Sequence, residues 1–595
     1  MKTNNAPRVR YVGRTRANPD YHHGGLRPVV GVHNQQVMRA NRTHPEHADG
    51  FGWTFNNAPM LAYWKGQFYL SYISTPVGEN VTPSQALLLT SETGTQWSKP
   101  RVLFPPYPIP EGVYEQRWQV PLAPGSYAMM HHRSGFYVAP NGRLLALGFY
   151  GISPDPDVMP NDGRGIGRVV REIYADGKFG PIYFLRVNRH AGWDESNIHH
   201  PLYSESEDNG FVESCEALLA DRLATLQWWE EDRSPDSFYA LPGEKALSYY
   251  HAADGSVVGL WKWSKTAVTT DEGATWSEAV ESPSLVMAGA KAWGQRTSDG
   301  LYAMMYNPTP NNHHRWPLAL ATSEDGLEYD RLLLANGEVP PQRYQGEHKY
   351  LGLNYVIGIN ECCEQPPDGN MWVAYSMNKE DIWVSRIPVP VCDRVTEAVD
   401  DDGTDLSNWN LYNTVWSHAQ VAELPGSGRN CLRITHQDPA DYAKAERVFP
   451  ESTRVEIDVE LLVGWQNGGQ LYLEVQNGEN HSPVRMWLAE DGLLHVQHAK
   501  GHSKLAAVTE EDCLRLHMEI DVSQNRYILS ANGMQHEFLF LRAVDSVERI
   551  VFRTGAVRKA PDLDTEALTE DLAVADMPLA PTVYYLTHLR TGKHA

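Results

Sequence analysis

Cysteine is scarce in this chain. The six present (Cys215, Cys362, Cys363, Cys392, Cys431, Cys513) show no regular spacing, which argues against a disulfide framework as the source of stability. The vicinal pair Cys362-Cys363 has no partner CxxC. Four His-His pairs (His22-His23, His131-His132, His199-His200, His313-His314) lack further ligands at zinc spacing, so no metal is expected. Basic residues are in deficit as well: 51 Lys and Arg face 74 Asp and Glu, a formal net charge of −23. That balance disfavours nucleic acid and anionic membranes as partners. An acidic ligand would need Arg, Lys or His concentrated locally against the overall field. No run is apolar enough to span a membrane, and Met1 to Pro7 carry no apolar signal core, so a soluble, cytoplasmic protein is expected. Gly165-Ile166-Gly167 lacks the third glycine and the βαβ context of a nucleotide site, and no cofactor is expected.

Aromatic residues and tight turns are abundant. Eighteen Trp and 29 Tyr in 595 residues suit β-structure and sugar-binding clefts. The length calls for more than one domain. From about residue 52 a unit recurs: strand, two-residue turn, aromatic-rich strand. The turns are Lys65-Gly66, Asn141-Gly142, Asp254-Gly255, Asp299-Gly300 and Asp368-Gly369. Asn-Gly and Asp-Gly favour type I′ hairpins, in which both central residues take positive φ. Five hairpins predict five blades of a β-propeller, and a sixth if residues 1–50 supply one. Between the second and third hairpins, Glu213 to Trp229 carry apolar residues at helical spacing, which predicts a helical insertion near 205–232, packed on a loop face as a brace. Beyond Pro388-Val389-Pro390 the acidic stretch Asp400–Asp405 reads as a linker. Regular alternation then sets in at Arg454–Glu460 and Leu514–Val522, the mark of half-buried strands. The expected architecture is all-β: a five- or six-bladed propeller over residues 1–395, then a β-sandwich of jelly-roll or lectin-like kind over 396–595.

One stretch, Thr269-Thr270-Asp271-Glu272-Gly273-Ala274-Thr275-Trp276, matches the Asp-box pattern, and Thr90–Trp97 and Thr322–Tyr329 echo it. Glycine supplies the positive φ of a tight turn, the acid bonds back to backbone N–H groups, and the aromatic anchors the hairpin. With these boxes, residues 50–390 resemble the sialidase-type (BNR-repeat) propeller superfamily, whose members are carbohydrate-active. The resemblance implies that the box is peripheral and structural. Sialidases also share an Arg-Ile-Pro motif near the first blade, a Tyr–Glu nucleophile pair and an Asp acid. Here the only such tripeptide, Arg386-Ile387-Pro388, ends the propeller, so the chain departs from a true sialidase by motif.

A propeller binds ligands at its central depression, so residues entering each hairpin are the candidates. They are Asn57, His132 with Arg133, Lys291 with Trp293, His348, and Asn360-Glu361. Hydrogen-bonding and aromatic side chains there suit an oligosaccharide. Glu361, an acid in an apolar strand context, is the first-choice catalytic carboxylate, with Glu213, Glu216 and Asp194 as weak candidate partners. His132 and His33 are candidate acid–base groups. Arg168 is a candidate for bidentate carboxylate binding. Each has a structural alternative as a cap, a brace or a core residue. The expected function is an exo-acting glycoside hydrolase on an oligosaccharide that could be acidic. Two alternatives stand beside it: a polysaccharide lyase acting by β-elimination on a uronate- or rhamnose-containing glycan, and a non-catalytic glycan-binding protein.

Overall fold

The computed structural model describes residues 7–130, 132, 134–155, 157–229, 245–464, 469–507, 513–556, 558–572 and 575–592. It is built almost wholly of strands, as the repeated hairpins require. Four sheets stand apart as blades. The first comprises Phe55–Trp64, Gln67–Thr75, Gln85–Ser91 and Arg101–Phe104. In the second, the short strands Met129–Met130 and Gly135–Val138 both pair with Leu144–Gly151, which continues to Gly167–Ile173 and Tyr183–Val187. The third is Ser248–His251, Val257–Leu260, Lys265–Thr269 and Val280–Glu281; the fourth is Trp293–Arg296, Tyr302–Tyr306, Leu318–Ser323 and Glu328–Asn336, with Arg10–Tyr11 added in parallel at its edge.

The fifth expected hairpin behaves differently. Its strands Leu351–Gly358, Met371–Met377 and Asp381–Ile387 are completed by His33–Met38 from the N-terminal segment. That strand also pairs in parallel with Trp409–Asn413, so the set runs without a break into a sheet of the C-terminal module. The N-terminal segment therefore supplies an outer strand and an edge strand, and no blade of its own.

The hairpin turns deviate from the expected type. Only Lys65-Gly66 has positive φ at both central residues (47° and 80°); at the other four only the glycine does. The reason lies in the Asp and Asn side chains. Asp254 Oδ1 accepts the Ser256 N–H at 2.9 Å and Asp368 Oδ1 that of Asn370 at 3.1 Å, Asx-turns that hold the acid at negative φ. The Asp-box forms as its sequence dictates. Asp271 accepts the Thr275 N–H at 2.8 Å, the Gly273 N–H reaches Thr269 Oγ1 at 3.2 Å with φ 78° at the glycine, and half-buried Trp276 packs edge-on against Trp261 at 5.5 Å.

The insertion forms two helices, Asn209–Ala220, capped by the Asp208 side chain, and Arg222–Trp229. They fill the space between two blades rather than covering a loop face. Phe211, Cys215, Leu218 and Trp228 pack on Leu145, Leu147 and Val170 of the second blade, and Leu223 and Leu226 on Tyr249, Val257 and Trp261 of the third.

Beyond the propeller, two large sheets face one another across a core that includes Ile457, Leu473, Met486, Leu516 and Phe552. Alternation delivers that core: in Arg454–Gly464 every second residue is buried. The acidic stretch at 400–405 is part of this module, not a free linker. Asp400–Asp401 pairs with Thr582–Gly592, and Asp401 accepts from Trp409 Nε1 at 2.9 Å and Arg447 Nε at 3.0 Å.

Candidate active site

The blades bring a cluster of charged and aromatic side chains to one centre. Tyr355 lies in the middle of it, on the strand Leu351–Gly358. It is 4% exposed, and its φ is +58° at a register shift between Asn354 and Ile357. A left-handed conformation is strained for a bulky side chain, and such strain persists only where the surroundings enforce it. Four cations approach the ring. Lys262 Nζ donates to the Tyr355 hydroxyl at 3.1 Å and lies 5.1 Å from the ring centroid; Arg315, Lys379 and Lys291 lie at 5.2, 5.7 and 5.8 Å. Arg315 and Lys379 also sit over the Tyr350 ring, at 4.7 and 4.3 Å.

Glu79 and His132 complete the centre. Glu79 is ion-paired to Lys379 and has His132 Nε2 3.5 Å away. Asn57 Nδ2 lies 3.4 Å from the same imidazole nitrogen, and Asn57 Oδ1 accepts the Ser376 hydroxyl at 2.7 Å. The His132 ring is 5.4 Å from that of Tyr355. His348, exposed, lies at the rim with its ring 6.2 Å from Tyr350.

Electrostatics follow from this crowding. Burial pushes the Tyr355 phenol up, but Lys262, Lys379 and Arg315 outweigh it, and the net shift is downward despite an opposing effect of Glu79. Burial likewise raises Glu79, yet Lys379 and His132 hold it well below the ordinary carboxylate range. Burial lowers Lys379 against the pull of Glu79 and Tyr355. The centre can thus hold an ionised carboxylate beside a phenol that is easier to deprotonate than usual, in a field of cations.

Of the residues expected from sequence, Asn57, His132 and Lys291 join this centre and His348 borders it. Asn360 lines a small adjoining cavity together with Lys291 and Gln227. Arg133 and its neighbour His131 lie outside the described residues. Glu361 sits elsewhere: its carboxylate takes the His251 backbone N–H at 3.0 Å and faces His251 Nδ1 at 2.6 Å, while His251 Nε2 reaches the Asp-box residue Glu272 at 3.2 Å. The first-choice carboxylate is thus held by His251, on the box-bearing side. Trp293 is core, 2% exposed, its indole N–H bonded to Gln295 at 2.8 Å. Arg168 braces the insertion, donating to the Trp228 carbonyl at 3.0 Å with its guanidinium 4.3 Å from the Phe149 ring centroid. His33 joins the propeller to the module through the Leu406 carbonyl at 2.9 Å, and burial lowers its pKa to about 4. Arg386 shares a groove with His33 and Trp372, apart from the cluster.

Sequence reasoning missed Glu79, Lys262, Arg315, Tyr355 and Lys379. Four of these lie between the second and third strands of their strand sets. Those loops emerge on the same side as the start of each innermost strand, because an antiparallel sheet returns its chain there. A charged residue recurring at that place after each hairpin was the available signal.

Comparison with known proteins bears on this arrangement. Residues 7–245 match the family model described as BT_1020-like, N-terminal beta propeller, and residues 409–569 match the one described as sialidase-like, CBM domain. By these matches the first part of the chain is similar to that propeller family and a later part to that sialidase-like CBM domain. A solved structure named "Sialidase" aligns with 98% of this chain at 40% identity and a TM-score of 0.93. The chain spans about half of that protein, 54% of its length. A mutant of Trypanosoma rangeli sialidase displaying trans-sialidase activity aligns at 9% identity, covering 90% of each chain, with a TM-score of 0.33. The xylan beta-1,4-xylosidase from Bacillus halodurans C-125 aligns at 12% identity over 94% of this chain and 88% of its own, also with a TM-score of 0.33. No curated protein matches.

Proposed function

We propose that the chain is a glycoside hydrolase that cleaves a glycan at a residue carrying a carboxylate. The observation that supports this most is Tyr355 ringed by Lys262, Lys291, Arg315 and Lys379 in a chain of net charge −23. A cation cluster set against the overall field serves an anionic ligand. In this reading the cations hold the sugar carboxylate, and the Tyr355 oxygen, deprotonated under their influence, attacks the anomeric carbon. His132, aligned by Asn57 and Glu79, handles the proton of the leaving oxygen and then of water. The CBM domain holds the glycan chain. The strand set containing Leu351–Gly358 counts as a fifth blade, because it gives Tyr355 and Lys379 to the same centre as the separate blades. The module then begins near residue 396.

The same centre favours one competing reading. A phenolate beside cations that neutralise a uronate could remove the proton next to the carboxylate, making the protein a lyase. The test is the full chain against a panel of acidic and neutral oligosaccharides. Hydrolysis releases a saturated acidic sugar; elimination leaves an ultraviolet-absorbing unsaturated end. No release from any acidic glycan, with release from a neutral one, overturns the carboxylate reading.

A further inference from the structure

A second cavity, of about 310 Å³, lies between the propeller and the C-terminal module. It shares no lining residue with the Tyr355 centre. Its size and its place at a domain junction are those of small-molecule sites. The propeller side joins an apolar patch of Val29, Val32, Leu334 and Val339 to the polar Asn34, Asn336 and Glu338. The module wall is the outward face of the sheet whose other face forms the core. On Val547–Thr554, for example, Ile550 and Phe552 point into the core while Val551 and Arg553 line the cavity.

The charges on that wall are matched, with one exception. Lys444 pairs with Glu338 at 2.9 Å and Glu446 at 3.2 Å, Arg485 with Glu474 at 2.7 Å, and Arg558 with Asp441 at 2.7 Å. No carboxylate lies within ion-pair distance of Arg553 among the described residues, and from farther off its charge helps Arg485 hold Glu474 below the ordinary carboxylate range. Its guanidinium is held between the rings of Tyr442 and Tyr472, at 5.0 and 4.7 Å, and donates to one backbone carbonyl, that of Ala556, at 3.5 Å. Ring contact fixes the plane of the guanidinium and leaves most of its N–H fork for a planar anion. His22 and His23 also line the cavity, and burial lowers the pKa of both.

We infer that this cavity is a second carbohydrate site, binding a single acidic sugar unit with its carboxylate on Arg553 and its C–H face on the patch of Val29, Val32, Leu334 and Val339. A hexuronate has the required parts: one planar carboxylate, hydroxyls for the polar wall, and an apolar ring face. The inference is independent of the activity proposed for the propeller, because it concerns other residues and binding alone.

Hydrogen–deuterium exchange on the full chain tests it, with galacturonic acid as the probe and galactose as the neutral control. Galacturonic acid should slow exchange in Leu471–Gln476 and Val547–Thr554, and galactose should not. Arg553→Gln should abolish that protection and weaken the calorimetric affinity at least tenfold, with turnover by the propeller unchanged. Arg553→Lys, which keeps the charge and loses the fork, should retain part of it. Protection confined to propeller loops, or equal protection by galactose, overturns the inference. So does an Arg553→Gln variant that binds like wild type. If that variant loosens the module by itself, the comparison of the two sugars on wild-type protein still decides.

Discussion

Tyr355→Phe isolates the chemistry at the propeller centre. The change removes one oxygen and keeps the ring over which Lys262, Lys291, Arg315 and Lys379 gather. Its structural cost is bounded. The hydroxyl receives one charged hydrogen bond, from Lys262 at 3.1 Å, worth about 1.5–3 kcal/mol. Relief of burying the hydroxyl offsets part of that, so a loss of about 1–2 kcal/mol and a small drop in melting temperature are expected. The catalytic cost should be far larger. If the oxygen is the nucleophile or base, kcat should fall on the order of a thousandfold or more, with KM little changed, because the cations that hold the substrate remain. The pH dependence adds a second check. The folded-state pKa of Tyr355 lies below its unfolded value, so its ionisation contributes stability that is present above the unfolded value near 10 and is lost as pH falls through the folded one. The stability advantage of wild type over Tyr355→Phe should therefore grow as pH rises from neutrality towards 10, and turnover should rise through the same limb. Steady-state kinetics on the substrate found by screening, with thermal melts across that range, measures both. A Tyr355→Phe enzyme within fivefold of wild-type kcat would refute the reasoning.

Three further changes follow from the same geometry. Glu79→Gln leaves Lys379, with its fully buried side chain, without its carboxylate and should cost about 3–5 kcal/mol; because Glu79 titrates below its ordinary value in the fold, wild type should hold the corresponding stability above about pH 4.5 and lose it progressively as pH falls from there towards the folded value, which acid melts of both proteins would reveal. Glu361→Gln should disturb only the contacts to His251 on the box-bearing side, so turnover should stay within about twofold; a hundredfold loss would return Glu361 to the site. Trp276→Ala removes a half-buried ring packed on Trp261 and should destabilise by about 2–3 kcal/mol, less than a fully buried aromatic, with activity per folded molecule unchanged in kinetics normalised to the folded fraction.

What the sequence determined by itself is the local and repetitive part of this protein. Glycines at five hairpins, an Asp-box with its tryptophan, and strict alternation in the module each act over a few residues, so the chain states them directly. The hairpins fixed where strands turn, although Asx bonding by Asp254 and Asp368, a side-chain effect, chose a different turn type. Asn57, His132 and Lys291 were legible because they begin the first strand of a hairpin unit or lead into it. What only the tertiary structure decided is partnership across distance. Glu361 looked available until His251, remote in sequence, took it. Arg168 looked like a ligand until the helical insertion placed the Trp228 carbonyl beside it. Tyr355 carries no local mark at all. Its pKa is lowered because Lys262, Arg315 and Lys379, each from a different hairpin unit, converge on one ring. Closure of the ring by His33–Met38 is of the same kind, since a strand far upstream in the chain satisfies the open edge of Asp381–Ile387. Convergence is a property of the closed ring, and a ring closes only once every blade has its neighbour.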